Sequence, residues 1–321
     1  MLDNDKLSFG PSATKELRLY SNYIDKFIDE RCDPRDKEKI WQLVIEFPHV
    51  GLAVAKNYIL TEEEKHETFL RAMSLPKLHT IGGGIKGGGK TALAYWIAEQ
   101  LYITYGMKTC IFKPLDFNQS ALPKYFSVAY DESEIPENTF VIYDETAITM
   151  NARRAMATEH VDFTAFLAIQ RHRGNSMLTI QQLMALADKN IFRLSDDFIY
   201  KQLGMPQLES GEKNQDPFYM FIKFLKPIAV NDVLYFDSTM STILFFKTPL
   251  ASFWTDELSK PLASITDHEA IAYIVKEAEH RNMKELKKIL WLKGKKWDQE
   301  MIDDILRQHN LTIKPKKKRG E

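Results

Sequence analysis

The chain has 321 residues, 44% of them hydrophobic and 27% charged, and a net charge of −1. That length can bury a full core, and the balance excludes both a disordered chain and a polycation, so any contact with nucleic acid has to come from local patches. No apolar run approaches the ~18 residues of a membrane-spanning helix and the opening Met-Leu-Asp-Asn-Asp-Lys has no signal-peptide character, so no membrane insertion is expected.

Residues 1–76 read as a helical region. Leu17, Leu19, Tyr20, Tyr23, Ile24, Phe27 and Ile28 recur at helical spacing between residues 15 and 30. Residues 36–47 and 62–73 follow the same pattern, and Pro76 closes the region. No chemistry stands out there, and a capping or subunit-contact role is expected.

From Lys77 strands alternate with helices. Residues 77–81 are predicted as a strand and 91–105 as a helix with Ala92, Leu93, Tyr95, Trp96, Ala98 and Leu101 on one face. Residues 108–113 form a second strand. It holds Cys110, which with the distant Cys32 predicts reduced thiols and a cytoplasmic setting. Residues 139–143 form a third strand, apolar enough to be covered on both faces. A helix at 163–170, a strand at 176–180, a helix near 184–189 and a strand at 198–200 follow. The alternation predicts an α/β fold with a parallel sheet between helices.

Between the first strand and its helix lies Gly82-Gly-Gly-Ile-Lys-Gly-Gly-Gly-Lys-Thr91. Its last eight residues fit G-x-x-x-x-G-K-[ST], the P-loop pattern. Backbone amides of such a loop and the positive end of the helix cradle a polyphosphate. The nucleotide contacts are therefore expected from Gly84, Ile85, Lys86, Gly87, Gly88, Gly89, Lys90, Thr91 and Ala92. Lys90 reaches the β- and γ-phosphates, and the Thr91 hydroxyl binds Mg²⁺.

The third strand runs directly into Asp144 and Glu145. A carboxylate at that strand end suits Mg²⁺, which assigns Asp144 to the metal. Glu145, pointing to the other side, is placed to polarise a water for attack on the γ-phosphate. Residues 108–113 are read as a strand inserted between the P-loop strand and the acidic strand. Together with a Glu after the Asp, this resembles the additional-strand, catalytic-glutamate division of P-loop ATPases, with a RecA-like core. ATP hydrolysis is favoured over phosphoryl transfer to a metabolite.

Gln170-Arg171-His172-Arg173-Gly174, followed by a strand ending in Gln181-Gln182, sharpens the resemblance. It is similar to the FtsK–HerA superfamily of nucleic-acid-pumping ATPases, closest to zonula occludens toxin-like and viral DNA-packaging-type members, over roughly residues 77–255. The resemblance implies a homo-hexameric ring acting on double-stranded DNA without sequence specificity. It implies a γ-phosphate sensor at Gln181, with Gln182 as the adjacent alternative. It also implies an arginine reaching in from the next subunit, for which Arg153, Arg154, Arg171 and Arg173 are candidates. Membrane-anchored relatives continue into a transmembrane segment; its absence here favours a motor for viral genome packaging, in the host cytoplasm, or for mobile-element DNA transfer. A capsid or transfer-complex protein is then a further partner. The alternative function is an ATP-dependent switch or assembly factor acting on protein.

After Gly204 a polar loop at 208–217 leads to strands or hairpins at 218–225, 233–236 and 242–246. This gives an expected ATPase core of residues 77–255 and a basic helical appendage of 256–321. In the appendage, Arg281, Lys284, Lys287, Lys288, Lys293, Lys295 and Lys296 face one acid, Glu285, before a helix at 299–309 and a basic tail. The segment reads either as a solvated helix face with a charged tail or as a contact for DNA phosphates.

Overall fold

The computed structural model describes residues 13–82, 88–112, 122–143, 158–180, 194–201, 224–226, 228–255, 258, 267–280, 282–292 and 295–313. The described residues up to Ser252, apart from Leu122 and Pro123, form one compact unit, and those from Phe253 onward belong to a second.

Four helices open the first unit: α1 (Ala13–Arg31), α2 (Lys37–Glu46), α3 (Pro48–Ile59) and α4 (Glu62–Met73). Thr61 caps α4 in a capping box with Glu64, which satisfies amides that the first turn leaves open. Then come β1 (Leu78–Gly82), α5 (Lys90–Tyr105), β2 (Thr109–Phe112), β3 (Phe126–Ala129), β4 (Phe140–Tyr143), α6 (Thr158–His172), β5 (Ser176–Ile180), β6 (Asp197–Tyr200), β7 (Asp232–Asp237) and β8 (Ile243–Lys247).

The strands form one eight-stranded sheet in the order β3-β2-β4-β5-β1-β6-β7-β8. The first six positions pair in parallel; β6–β7 and β7–β8 are antiparallel. The fold is α/β, with a mostly parallel sheet and flanking helices. All residues of β1, β2, β4, β5 and β6 are buried, as expected of strands covered on both faces.

One expectation is corrected. The strand between β1 and the acidic strand β4 is β5, whereas the strand expected at 108–113 is β2 (Thr109–Phe112), on the far side of β4. Neighbours in sequence need not be neighbours in a crossover sheet: the chain leaves β1 past two positions and fills both only later, with β4 and β5. The inserted strand is present, supplied by another segment.

The N-terminal helices share a core with the antiparallel end of the sheet. Leu17, Ile24, Phe27 and Ile28 of α1 and Val50 and Val54 of α3 cluster with Phe198, Tyr200, Leu234, Phe236 and Phe245. Each such side chain contributes roughly 1.5–3 kcal/mol on burial. A second core gathers Leu78, Cys110, Phe112, Val141, Tyr143, Phe166 and Met177. Cys32 and Cys110 are both free and buried. The second unit contains α7 (Asp267–Glu277), α8 (Met283–Leu292) and α9 (Gln299–Gln308), which close on Ala270, Ile274, Leu286, Ile289, Leu290, Ile302 and Leu306. Among the described residues no helix is long and apolar enough to cross a membrane.

Candidate nucleotide site

Gly82 ends β1, and α5 begins at Lys90. Gly89 takes φ +76°, the left-handed conformation that glycine adopts without strain and that turns the chain into the helix. Leu93 N–H then donates to Gly89 O at 2.9 Å, the first bond of α5. Lys90 is 7% exposed. The strand before and the helix after, which the P-loop pattern requires, are therefore in place. Gly88, Gly89, Lys90, Thr91 and Ala92 stand at the head of α5; Gly84, Ile85, Lys86 and Gly87 lie outside the described residues.

α5 is buried around most of its circumference, with Ala92, Leu93, Ala94, Tyr95, Trp96, Ile97, Ala98, Glu99 and Leu101 all inside. The single apolar face expected from the sequence is thus too narrow a description. Glu99 is held by the amide and hydroxyl of Ser252, which joins the end of the first unit to the P-loop helix.

Ile81 of β1 pairs with Ile180 of β5, and Thr179 of β5 pairs with Tyr143 of β4. These three strands therefore end together at one edge of the sheet. Strands lie ~4.8 Å apart, so the end of β4 is about 10 Å from the end of β1. Asp144, Glu145 and Gln181 directly follow these strand ends; they lie outside the described residues, as do Gln182, Arg153 and Arg154. The chain passes from β1 to one side of the sheet and from β5 across β1 to β6 on the other. Ligands of open α/β sheets bind at the carboxyl ends of strands where the order reverses in this way. A Thr hydroxyl at the helix head and a carboxylate at the end of β4 are hard oxygen donors of the kind Mg²⁺ takes.

The strands beneath this edge are tied by polar groups with no evident signal in the sequence. Thr80 Oγ1 lies 2.9 Å from Thr179 Oγ1 and 2.6 Å from Ser195 Oγ. The Tyr235 hydroxyl donates to Asp197 at 2.9 Å, and burial raises its pKa. His79 Nδ1 sits 2.9 Å from Asp197, close enough for an ion pair though not directed as a hydrogen bond.

Arg171 and Arg173 stand at the opposite edge. Arg171 donates to Asp196 at 2.7 Å, and the same carboxylate oxygen accepts the Leu78 amide at the start of β1. Arg173 donates to Ile135 O at 2.5 Å and Glu132 O at 3.3 Å. Gly174 has φ +70°, and a side chain there would collide with Asn138. Asn175 bridges Gln170 and the Thr139 amide. The Arg-His-x-Gly run thus braces the starts of β4 and β5. The structure does not bring its arginines to Lys90 of the same chain.

With its motif at a strand–helix junction and β5 inserted between β1 and β4, the chain has the arrangement of a P-loop NTPase. No protein-family model matches it, and no curated protein does. Among solved structures it is similar to the genome packaging NTPase B204 of Sulfolobus turreted icosahedral virus 2 in complex with ATP-gammaS, at 18% identity and TM-score 0.40 over 55% of this chain and 99% of that one. It is also similar to B204, the DNA-packaging ATPase of Sulfolobus turreted icosahedral virus, at 16% identity and TM-score 0.38 over 56% and 100%. The N-terminal domain of zonular occludens toxin from Neisseria meningitidis matches at 15% identity and TM-score 0.34 over 58% of this chain and 98% of that domain.

Proposed function

We propose that the chain is an ATP-hydrolysing DNA translocase of the FtsK–HerA type, working as a homo-hexameric ring in viral genome packaging or mobile-element DNA transfer. One observation supports the hydrolytic part: β1, β4 and β5 end side by side, and the P-loop pattern, Asp144-Glu145 and Gln181 directly follow those ends in the sequence. ATP phosphates are held by the loop amides and Lys90 at the positive end of α5. Thr91 and Asp144 would hold Mg²⁺, which would supply charge neutralisation at the phosphates. Glu145 accepts the proton of the attacking water, and Gln181 hydrogen-bonds near the γ-phosphate. An arginine of the neighbouring subunit completes the charge balance.

The DNA part is supported by charge segregation. Residues 281–321 carry thirteen basic and six acidic side chains, while the whole chain is at −1. In α8 the one acid, Glu285, is engaged in a capping box, accepting from Asn282 N–H at 3.1 Å while Asn282 Oδ1 accepts from its amide at 3.2 Å. Among the described residues it makes no ion pair with a lysine.

The test is ATP turnover with and without double-stranded DNA, with Glu145→Gln and Lys90→Ala as controls. Stimulation of the wild-type chain and silence of both variants are expected. Turnover indifferent to every form of DNA would leave an ATPase acting on protein.

A further inference from the structure

Lys201 is 1% exposed, and nothing in the reaction above uses it. It follows Tyr200, the last residue of β6, which pairs with Gly82, the last of β1. Its amide donates to Gly82 O at 3.4 Å. The side chain therefore starts beside the strand end from which the phosphate-binding loop departs.

Its ammonium turns inward and donates to Val230 O at 2.7 Å and Asp232 O at 3.0 Å. Those carbonyls belong to a tight turn. Asp232 N–H donates to Ala229 O at 3.0 Å, and Ala229 N–H donates to the Asp232 carboxylate at 3.1 Å. Asn231 O accepts from Thr248 N–H at 3.0 Å. The turn abuts Gly89: a Cβ at that glycine would lie 2.9 Å from Val230 Cγ1 and 3.3 Å from Val230 O. The carbonyl gripped by Lys201 is thus one of the atoms packed against the backbone of Gly89.

This contact bears on an energetic puzzle. Burial and the charge of Lys90 push the Lys201 amine down to about 8, against the pull of Asp232. A buried ammonium is costly, and an apolar side chain of similar volume is often as stable or more so. What the ammonium adds is two directed bonds to a turn that an apolar chain cannot hold.

We infer that Lys201 is a positioning residue for the phosphate-binding loop. By fixing residues 229–232 against Gly89, it holds that glycine left-handed and so aims the amides at the head of α5. This rests on the reading of residues 84–91 as the nucleotide site.

The test measures ATP binding, KM and kcat on the full chain for Lys201→Met, Val230→Ala and the double variant, with unfolding curves for each. Lys201→Met should raise KM about tenfold, the worth of a charge-assisted bond, with kcat within about twofold. Val230→Ala, at a half-exposed position that tolerates truncation, should raise KM about threefold. Because both act through one contact, the double variant should be no worse than Lys201→Met alone. A folded Lys201→Met with wild-type KM, a Val230→Ala with wild-type KM, or fully additive losses would each overturn the role. If Lys201→Met does not fold, Val230→Ala decides by itself. A wild-type chain that binds no nucleotide overturns the reading of the loop and this inference with it; binding that is equal in all variants overturns only the inference.

Discussion

Thr80 on β1 and Thr179 on β5 meet through their hydroxyls at 2.9 Å in the interior of the sheet, and Thr80 also meets Ser195 at 2.6 Å. The strand that launches the P-loop and the strand that leads to Gln181 are thereby joined by side chains as well as by backbone. All three residues are buried, so their hydroxyls depend on protein partners. Thr80→Val keeps the shape and removes the shared partner. It should cost about 1–3 kcal/mol of stability, read from urea midpoints. An unchanged midpoint would mean that Thr179 and Ser195 are satisfied without it.

Gly89 and Gly106 bracket α5, and both have positive φ, +76° and +66°. Their surroundings differ: a Cβ at Gly89 meets Val230 at 2.9 Å, and at Gly106 nothing lies within 4 Å. Both Ala variants incur roughly 1–2 kcal/mol of left-handed strain. Only Gly89→Ala also displaces the turn that packs on the loop. Calorimetric titration with ATP should show affinity reduced by about tenfold or more in Gly89→Ala and near wild type in Gly106→Ala. Equal affinities in the two would separate the loop from its neighbour.

Strands and helices whose patterns are local were legible in the sequence. β4 is a continuous apolar run, β1 and β5 are short segments that mix apolar residues with His79, Thr80, Ser176 and Thr179, and the glycine-rich motif fixes the register of α5. α3 was not legible. It opens at Pro48, which reads as a break although proline is tolerated in a first helical turn, and its buried face uses small residues such as Val50, Ala53 and Ala55. β3 was missed because it is a four-residue edge strand, buried only at its two ends. Strand order was misread because crossovers, not sequence distance, set it. In the site, Lys90 and Thr91 were named by spacing alone. The roles of Lys201 and Val230 had no signal, because a lysine after a strand is ordinarily solvated and only the fold places this one against a carbonyl.

Arg171 and Arg173 differ in a way that separates the four finger candidates further. The Arg173 guanidinium is bound to two main-chain carbonyls, whereas Arg171 makes one half-exposed ion pair to Asp196. Exposed pairs contribute about 0–1 kcal/mol. Arg171 can leave its partner cheaply, and it stands at the sheet edge away from its own P-loop. Arg171→Ala should therefore lower kcat by about 10³-fold with stability changed by less than ~1 kcal/mol, and Arg173→Ala should lose stability. Mixing Arg171→Ala with Lys90→Ala subunits should restore part of the turnover. Turnover retained in Arg171→Ala would pass the role to Arg153 or Arg154.

Stability should depend on alkaline pH with a definite sign. Lys201 titrates near 8 in the folded chain and near 10.5 unfolded, so between these values the unfolded chain binds the extra proton and stability rises with pH. Burial raises Cys32 to about 12 and Cys110 to about 11, from 9.0. Above pH 9 the folded chain keeps two thiol protons that the unfolded chain loses, and stability falls. Tyr58, Tyr125 and Tyr235, all raised by burial, steepen the fall above pH 10. One proton favours folding against two opposing it above pH 9, so the urea midpoint should peak close to pH 9. Lys201→Met should remove the rise between pH 8 and 9 and leave the fall.

The second unit separates its charges by helix. α8 buries Leu286, Ile289 and Leu290 and carries Lys284 and Lys287 on its accessible side, where among the described residues neither has an ion-pair partner. Lys295 is occupied by Asp267 at 2.5 Å. α9 carries Glu300, Asp303 and Asp304, so its exposed side repels phosphate. If this unit meets DNA, α8 is the helix that does so, through backbone phosphates rather than base edges. Each phosphate neutralised contributes about 0.9 to the slope of log affinity against log salt. Lys284→Glu/Lys287→Glu should reduce that slope by about 2 and weaken double-stranded DNA binding by roughly 30-fold or more at 0.1 M salt. Sequence preference should not change, nor should ATP turnover without DNA, because the unit holds none of the P-loop, Asp144-Glu145 or Gln181 residues. Binding isotherms at several salt concentrations decide it: an unchanged slope would place the DNA contact on the first unit and leave the lysines of α8 as a solvated face.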